Sequence, residues 1–259
     1  MKVAYVGIDL LKGALDAVLE CGCDVLRLFS CPTDNVTEFN TEVLATARRA
    51  GIPHTLKRLA RRDLDDLAQR GCELLLCAGY YYRLPLTEAF AMVNVHPAPL
   101  PECRGGWPMP VMLLRGEREG GVTLHKLAQE FDTGDILLGE RFELRPDDTL
   151  SDYMARVERL LPGMVERLLS ELPELMRAAR PQGEGRYLPM PTEADWTVTP
   201  DMGVEQADAV LRAFYGYECI YRDSARAFEL IGGRATADAA PSGLPVRGGC
   251  VHARIVREI

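Results

Sequence analysis

The segment Ala91-Met92-Val93-Asn94-Val95-His96-Pro97-Ala98-Pro99-Leu100-Pro101 predicts where a buried strand ends and a loop begins. Its apolar start is typical of a strand, and the prolines that follow cannot supply the backbone donors that a central strand needs. Strand side chains repeat every two residues, so Asn94 and His96 are expected on the same face. Ligand crevices of open α/β sheets lie at the carboxyl ends of parallel strands. The segment therefore predicts an amide and an imidazole side by side at a site suited to chemistry.

Strand-like and helix-like patterns alternate from the N-terminus up to this segment. The β-rich runs at residues 3–6, 25–29 and 73–77 are separated by helical patterns of apolar residues. Such alternation implies a mostly parallel sheet with right-handed crossovers, so we predict an α/β, Rossmann-like fold. The first turn, residues 7–13, lacks the GxGxxG spacing of a pyrophosphate-binding turn, which argues against NAD and FAD.

The middle of the chain continues the sheet and then becomes helical. Further strands are predicted at residues 122–127 and 136–142. Thr149 and Asp152 have the spacing of a capping box and predict the start of a helix. Pro162 is expected to break or kink that helix, because proline lacks the amide hydrogen of a helix interior.

The loop-forming run at residues 180–185 is the best candidate for a domain boundary. We therefore predict a larger domain at residues 1–182 and a small C-terminal domain at residues 183–259. The smaller one carries one helical pattern and two β-like runs, at residues 204–214, 227–231 and 250–256. It is predicted to be a mixed or β-rich appendix, for which an OB-like arrangement is one option.

Composition narrows the class of protein. The 259-residue chain is 47% hydrophobic and 26% charged, and no apolar run approaches the roughly 20 residues of a spanning helix, so a soluble globular protein without membrane contact is expected. The N-terminus lacks a signal-peptide core, which predicts a cytoplasmic location. A net charge of -8 makes nucleic acid an unlikely partner. Eight cysteines without a CxxC pair and four scattered histidines predict no metal site.

Asn94, His96 and Asp132 form a set that suits acyl transfer from a non-covalent donor. An amide donates a hydrogen bond to a developing oxyanion, an imidazole donates another or carries a proton, and a carboxylate orients the imidazole. No nucleophilic side chain is required. No GxSxG motif is present, and Cys103 has no recognisable base beside it, which argues against a serine or cysteine hydrolase.

The chain resembles the folate-dependent formyltransferases in a set of motifs that occur in the family's order. Family members carry an Asn-x-His-Pro strand end, a Leu-Pro-x-x-Arg-Gly loop, a Gly-Val-Thr strand and a downstream Asp-x-Gly turn. The corresponding residues here are Asn94-Val95-His96-Pro97, Leu100-Pro101-Glu102-Cys103-Arg104-Gly105, Gly121-Val122-Thr123 and Asp132-Thr133-Gly134. The resemblance extends, more weakly, from residue 1 to about residue 200.

The resemblance implies a one-carbon transferase with N10-formyltetrahydrofolate as the formyl donor and a primary amine of a small molecule as the acceptor. It implies that Asn94 and His96 bind the oxyanion and that Asp132 pairs with His96 and relays protons. It also implies two donor-binding loops, formed by Tyr80, Tyr81, Tyr82, Arg83 and Leu84 and by Gln129, Glu130 and Phe131.

Among the family's branches, the chain is methionyl-tRNA formyltransferase-like overall and looks nearest to the sugar-nucleotide amine N-formyltransferases. The resemblance to the sugar-nucleotide enzymes rests on Thr33-Asp34-Asn35 and on the run from Tyr80 to Arg83. Ala98 and Pro99 replace the family's Ser-Leu, so a hydrogen bond from that serine is missing. The Gly-rich phosphate loop of the glycinamide ribonucleotide enzymes is absent, and so is the Lys/Arg-rich loop of the methionyl-tRNA enzymes. An amino-sugar nucleotide is therefore the expected acceptor.

Several alternatives stay open at this point. Methionyl-tRNA formylation is the second enzyme activity to consider, and hydrolysis of the donor by water is the third. The alternative that is not an enzyme is a non-catalytic folate-binding module. His125 is predicted to be structural, and Arg104 either anchors its loop or meets an acidic group of the acceptor. The oligomeric state is open, with a homodimer as one option.

Overall fold

A seven-stranded sheet forms the body of the protein in the computed structural model, which describes residues 1–34, 38–238 and 243–259. Its order is β3-β2-β1-β4-β5-β6-β7, with β1 to β5 parallel and β6 antiparallel to β5. The mostly parallel, Rossmann-like sheet predicted from the sequence is thus confirmed. The strands are β1 Lys2–Gly7, β2 Asp24–Phe29, β3 His54–Thr55, β4 Leu74–Ala78, β5 Ala91–His96, β6 Glu119–Lys126 and β7 Ile136–Glu143.

Helices connect β1 to β2, β2 to β3 and β3 to β4, as the alternating pattern predicts. Their apolar faces supply buried residues to the core, while charged residues such as Asp65 and Asp66 lie on the exposed face of α3. The α-helices of the described residues are α1 Gly13–Glu20, α2 Thr41–Arg49, α3 Arg61–Gln69, α4 Pro108–Leu114, α5 Leu150–Ser170, α6 Leu172–Ala178 and α7 Val204–Ala213.

Helix α5 continues through Pro162, so the predicted break is wrong, whereas the alternative of a kink stays a prediction. The capping box at its start is present, with the Asp152 carboxylate accepting hydrogen bonds from the Thr149 amide and hydroxyl. A proline in a helix interior costs about 3 kcal/mol, but burial of an apolar side chain contributes about 1.5 to 3 kcal/mol each, so several outweigh it. The apolar stripe continues on both sides of the proline, with Tyr153, Val157, Leu161, Met164, Val165 and Leu168 all buried.

A second, five-stranded sheet lies in the C-terminal part and confirms the mixed, β-rich appendix. Its order is β11-β12-β10-β9-β8, with β8 parallel to β9 and each of the pairs β9-β10, β10-β12 and β11-β12 antiparallel. The OB-like option stays a prediction. The strands are β8 Thr197–Val198, β9 Glu218–Arg222, β10 Ala227–Thr236, β11 Leu244–Val246 and β12 Gly249–Glu258.

Backbone contacts divide the chain into two compact units that interleave along the sequence. One unit holds Met1–Gly105, Gly121–Arg141 and Val157–Tyr187, and the other holds Gly106–Gly120, Phe142–Arg156 and Leu188–Ile259. The domain boundary after residue 182 stays a prediction. Asn35, one of the residues that resemble the sugar-nucleotide amine N-formyltransferases, lies outside the described residues. Within the described residues, no helix combines the length and apolar character needed to cross a membrane.

Candidate active site

Strand β5 ends on the two polar residues that the sequence singles out. Its antiparallel neighbour β6 sets Asn94 opposite His125 and His96 opposite Thr123. Residues that face each other across two strands lie on the same face of the sheet, so all four side chains share one surface. Asn94 is half-buried, whereas His96 and His125 are almost fully buried. The structure therefore builds a polar cluster at the carboxyl end of a central strand.

His96 is held by contacts at both ring nitrogens. Its Nε2 lies 2.7 Å from the carbonyl oxygen of Cys103, so Nε2–H donates to that oxygen. Its Nδ1 lies 3.5 Å from Oδ1 of Asp132. Burial lowers the pKa of His96, and the neighbouring Asp132 charge offsets this only in part. His96 is therefore neutral at pH 7, with its proton on Nε2 and a lone pair on Nδ1 that faces a carboxylate.

Asp132 is fixed in an ionised state by its surroundings. Burial would raise its pKa, but the nearby His96 and His125 and the N–H of Gly105 lower the pKa to about 2. The Gly105 amide donates to Oδ2 at 3.0 Å, and Nε2 of His125 lies 3.6 Å from Oδ1. The Asp132 backbone has a φ of +56°, a left-handed conformation that aspartate tolerates better than most residues. The turn thus presents a charged carboxylate to two imidazoles.

The Asp-x-Gly turn requires glycine at residue 134, where a side chain would collide with the neighbouring strand. A Cβ atom at this position would lie 1.8 Å from the carbonyl oxygen of Lys126, which leaves no room for any side chain. The backbone of β6 can therefore approach the turn only because residue 134 has no side chain.

The variant Gly134→Ala should lose about 2 to 4 kcal/mol of folding free energy, because the turn must move away from β6. Denaturant unfolding measures this change, and turnover should fall with it as Asp132 moves. Gly163→Ala is the matched control: no atom lies within 4 Å of its Cβ position in α5, so it should stabilise the helix by up to about 1 kcal/mol. A Gly134→Ala protein as stable as wild type would contradict this explanation of the motif.

Arg104 and Gln182 tie the motif loop to the Asp132 turn. Arg104 donates from Nε and Nη2 to Oε1 of Gln182, at 3.2 and 3.0 Å. The Gln182 amide nitrogen donates in turn to the carbonyl oxygens of Asp132 and Gly134, at 2.9 and 2.6 Å. Of the two roles open for Arg104, the contacts favour the loop anchor. No sequence pattern pointed to Gln182, which lies in the segment predicted as a domain boundary.

His125 is also part of the site, and the sequence analysis predicted a structural role for it without naming its partner. Its Nδ1 lies 2.8 Å from the Lys126 carbonyl oxygen and donates to it, which leaves Nε2 to accept from the Asn94 amide at 3.1 Å. An amide nitrogen carries two N–H groups, and this contact uses one. The structural role predicted for His125 therefore consists of orienting Asn94. The spacing of two residues between Thr123 and His125 was the available signal, since it puts both side chains on one face of their strand.

The variant His125→Leu should lower kcat about tenfold while changing the KM for the donor by less than about twofold, because a misplaced Asn94 weakens the transition state more than binding. Steady-state kinetics measure this split. His125→Gln, which keeps an acceptor for the Asn94 amide, should recover part of the loss. Equal kinetics of the leucine and glutamine variants would show that His125 only fills space.

The two predicted donor-binding loops lie next to each other. Arg83 joins them, because its guanidinium lies 3.5 Å from Oε2 of Glu130 and 5.1 Å from the ring centre of Phe131. The Tyr80 and Tyr82 rings meet edge to face at 5.4 Å. The remaining members differ in exposure: Leu84 is buried, Gln129 is exposed, and Tyr81 is 46% exposed. The structure thus brings the eight residues into one neighbourhood, while their contact with a donor stays a prediction.

Ala98, which replaces the family's serine, is fully buried. The hydrogen bonds of this turn come from another hydroxyl, that of Thr123. The Thr123 side chain donates to the Ala98 carbonyl oxygen at 2.8 Å and accepts from the Leu100 amide at 3.2 Å. The missing serine hydroxyl is therefore not needed to hold the turn. Within the described ranges, no group of three or more His, Cys, Asp or Glu side chains is arranged to hold a metal ion.

Comparison with known proteins points to one family. The sequence model of the formyl transferase family matches residues 35–167. The methionyl-tRNA formyltransferase of Lactobacillus delbrueckii is 26% identical over 214 residues, which are 77% of this chain and 67% of that protein.

Two solved structures share the fold at low identity. The sugar N-formyltransferase from Shewanella sp. superposes with a TM-score of 0.68 at 18% identity, covering 89% of this chain and 96% of that one. WlaRD, a sugar 3N-formyltransferase solved with dTDP and 5-N-formyltetrahydrofolate, gives a TM-score of 0.69 at 15% identity and covers 100% and 99% of the two chains.

Proposed function

The chain belongs to the formyl transferase family, a family of folate-dependent enzymes, and on that premise we propose that it moves the formyl group of N10-formyltetrahydrofolate to the primary amine of an amino-sugar nucleotide. One observation carries the proposal: the Asn94 amide and the His96 imidazole share one face at the end of β5, and the Asp132 carboxylate lies 3.5 Å from that imidazole. Binding a folate needs no such set, whereas transfer of a formyl group does.

The residues of the two donor-binding loops fit a folate. A pterin is flat and carries hydrogen-bonding edges, and the loops offer the aromatic rings of Tyr80, Tyr82 and Phe131 together with backbone amides and carbonyls. These residues would hold the donor, which supplies an activated formyl carbon. Phe131 is 51% exposed, as expected of a ring that packs against a ligand.

Asn94 and His96 act on the formyl oxygen. When the amine nitrogen attacks the formyl carbon, the electron pair of the C=O bond moves to oxygen, and the second N–H of the Asn94 amide donates to that oxygen. The Nε2–H of His96 is bonded to the Cys103 carbonyl, so the formyl oxygen must replace this carbonyl to receive a second hydrogen bond. Each donor of this kind is worth about 10²- to 10³-fold in rate.

His96 and Asp132 serve the proton transfer. The amine loses a proton as its new C–N bond forms, and N10 of the donor gains one as its C–N bond breaks, so the sum of protons is unchanged. The neutral His96 can accept a proton at Nδ1, and the Asp132 carboxylate 3.5 Å away stabilises the imidazolium. Because Asp132 is ionised well below pH 7, it is ready for this task at any physiological pH.

Charge supports a small acceptor. The net charge of -8 disfavours a polyanion such as tRNA, whose binding needs a basic surface. Fold similarity does not separate the two acceptors, because a methionyl-tRNA formyltransferase from Clostridium thermocellum superposes as fully as the two sugar N-formyltransferases.

Methionyl-tRNA formylation is the second candidate, and sequence similarity favours it. The curated relatives are methionyl-tRNA formyltransferases, of which this chain spans 67% of the length in Lactobacillus delbrueckii and 51% in Treponema denticola. This activity predicts binding of tRNA that weakens steeply as salt rises, because phosphate contacts release counterions.

The test is turnover of N10-formyltetrahydrofolate with a panel of amino-sugar nucleotides, free amino sugars and methionyl-tRNA. We expect tetrahydrofolate to form only with an amino-sugar nucleotide, together with a product that is heavier by one formyl group in mass spectrometry. Turnover only with methionyl-tRNA would replace our proposal by the second candidate. Formate released without an acceptor would identify a hydrolase, and donor binding without turnover on any acceptor would favour a binding module.

A further inference from the structure

A segment far from the catalytic residues in the sequence, residues 180–186, is bound to the loops of the candidate active site and is called the strap below. At its start, Arg180 and Ile136 exchange two backbone hydrogen bonds, at 2.8 and 2.9 Å. Near its end, the N–H of Arg186 donates to the carbonyl oxygen of Pro101 at 3.1 Å. The strap is therefore fixed to β7 at one end and to the Leu-Pro-x-x-Arg-Gly loop at the other.

Between these two anchors, the side chain of Gln182 can make its contacts in only one orientation. Its Oε1 accepts from Nε and Nη2 of Arg104, and a guanidinium offers donors only. Its Nε2 donates to the carbonyl oxygens of Asp132 and Gly134, which can only accept. If the amide were turned around, its oxygen would face two carbonyl oxygens and its nitrogen would face a guanidinium. Arg104 therefore determines which end of the Gln182 amide meets the turn.

The Asp132 turn depends on contacts of this kind. Its φ of +56° lies in a region that residues other than glycine rarely occupy unless neighbouring groups hold them there. Oδ1 of the Asp132 carboxylate lies 3.5 Å from Nδ1 of His96, at the outer limit of a hydrogen bond, so a small rotation of the turn separates the pair. The two carbonyls that Gln182 binds lie on either side of Thr133 and fix the backbone at both ends of the turn.

We propose that Gln182 is a positioning residue of the formyl transfer, which holds the Asp132 carboxylate against His96 through the backbone of the turn, and that Arg104 serves the reaction by orienting the Gln182 amide. The inference rests on the proposed function, because it takes Asp132 to stabilise the imidazolium of His96. A misplacement of about 1 Å in such a pair can cost about 10²-fold in rate. The strap is then part of the catalytic apparatus as well as a connection to the C-terminal sheet.

The first test is the kinetics of variants at residue 182. Gln182→Met keeps the length of the side chain but can neither donate to the turn nor accept from Arg104 as the amide does. We expect kcat to fall about 10- to 100-fold, while the KM for the donor changes by less than about twofold. Gln182→Glu keeps an acceptor for Arg104 and loses both donors to the turn, so it should lose about as much. The matched control Gln69→Met changes an exposed glutamine at the end of α3 and should keep the wild-type kcat.

A double-variant comparison shows whether Gln182 acts through Asp132. In an Asp132→Asn background, Gln182→Met should lower kcat by less than about twofold, because no charge is left to position. The same loss in both backgrounds would mean that Gln182 acts independently of Asp132, which overturns the inference. A wild-type kcat of Gln182→Glu overturns it as well, since that variant lacks both donors to the turn.

Titration of the His96 imidazole by ¹⁵N NMR gives a readout that needs no turnover. Burial lowers the pKa of His96 and the Asp132 charge raises it, while His125 is the other titratable group that faces the pair. Gln182→Met should therefore lower the pKa of His96 below its wild-type value, whereas Gln69→Met should not. Gln182→Asn is a second neutral variant, because its amide is one methylene too short to bridge Arg104 and the turn, and it should give the same shift.

The outcomes separate this inference from the proposed function. An unchanged pKa of His96 in the folded Gln182→Met and Gln182→Asn proteins overturns the inference, even if wild type transfers the formyl group as proposed. A lowered pKa of His96 in these variants, in a protein that turns over no acceptor, supports the positioning of Asp132 by Gln182 and counts against the proposed transfer. A lowered pKa together with the loss of kcat supports both.

Discussion

Replacement of His96 by alanine is expected to lower kcat/KM by about 10²- to 10³-fold, the usual effect of removing a donor from an oxyanion site. His96 is 4% exposed, and both its ring nitrogens face polar partners, so the side chain has one defined orientation. In the proposed mechanism, the change removes a hydrogen bond to the formyl oxygen and the group that carries the proton. Steady-state kinetics with a saturating acceptor measure the loss.

Two variants separate catalysis from packing at this position. His96→Gln keeps an N–H group and should retain more activity than alanine, although it cannot carry a proton. His54→Ala removes an exposed histidine from β3 and should leave turnover unchanged. Full turnover of His96→Ala in a folded protein would show that the imidazole takes no part in the reaction.

Asp132→Asn should reduce kcat by about 10²-fold or more, because the amide has nearly the shape of the carboxylate but cannot stabilise an imidazolium by charge. The oxygen of the amide can still accept from the Gly105 N–H, so the turn should keep its conformation. The variant also tests the electrostatics of the pair. Burial lowers the pKa of His96 and the Asp132 charge partly restores it, so loss of that charge should lower the pKa of His96 further.

Titration of ¹⁵N-labelled imidazoles by NMR reads this shift directly. In wild type, His96 should take up its second proton below the ordinary value of 6.5, and in Asp132→Asn at a still lower pH. A neutral His96 in both proteins at pH 7 is expected, so the loss of activity reflects the missing charge and not a change of protonation in the resting enzyme. A higher pKa of His96 in the variant, or unchanged kcat, would contradict the pairing.

The sequence was most informative where local chemistry dictates structure. The prolines after His96 fixed the end of β5, and the two-residue spacing put Asn94 and His96 on one face, as observed. Alternating apolar patterns predicted the parallel sheet. At Pro162 the local rule misled, because the buried stripe of α5 outweighs one lost hydrogen bond.

Sequence patterns could not predict contacts between distant parts of the chain. Gln182 lies 50 residues from Asp132 and supports its turn through backbone carbonyls, which leave no pattern in the sequence. The Asn94 and His125 contact depends on the register of β5 and β6, which only the assembled sheet defines. The same holds for the hydrogen bond from Arg58 to the Arg83 carbonyl oxygen, since residues 25 positions apart meet only in the folded chain.

We propose that the formyl group passes from donor to amine with the help of Asp132 and His96. The most direct measurement uses N10-formyltetrahydrofolate labelled with ¹³C in the formyl group, an amino-sugar nucleotide, and mass spectrometry of all products. For wild type we expect the label in the formylated acceptor, with one tetrahydrofolate formed for each product, and for Asp132→Asn almost none. Label recovered as formate, or transfer by the variant at the wild-type rate, would contradict the account.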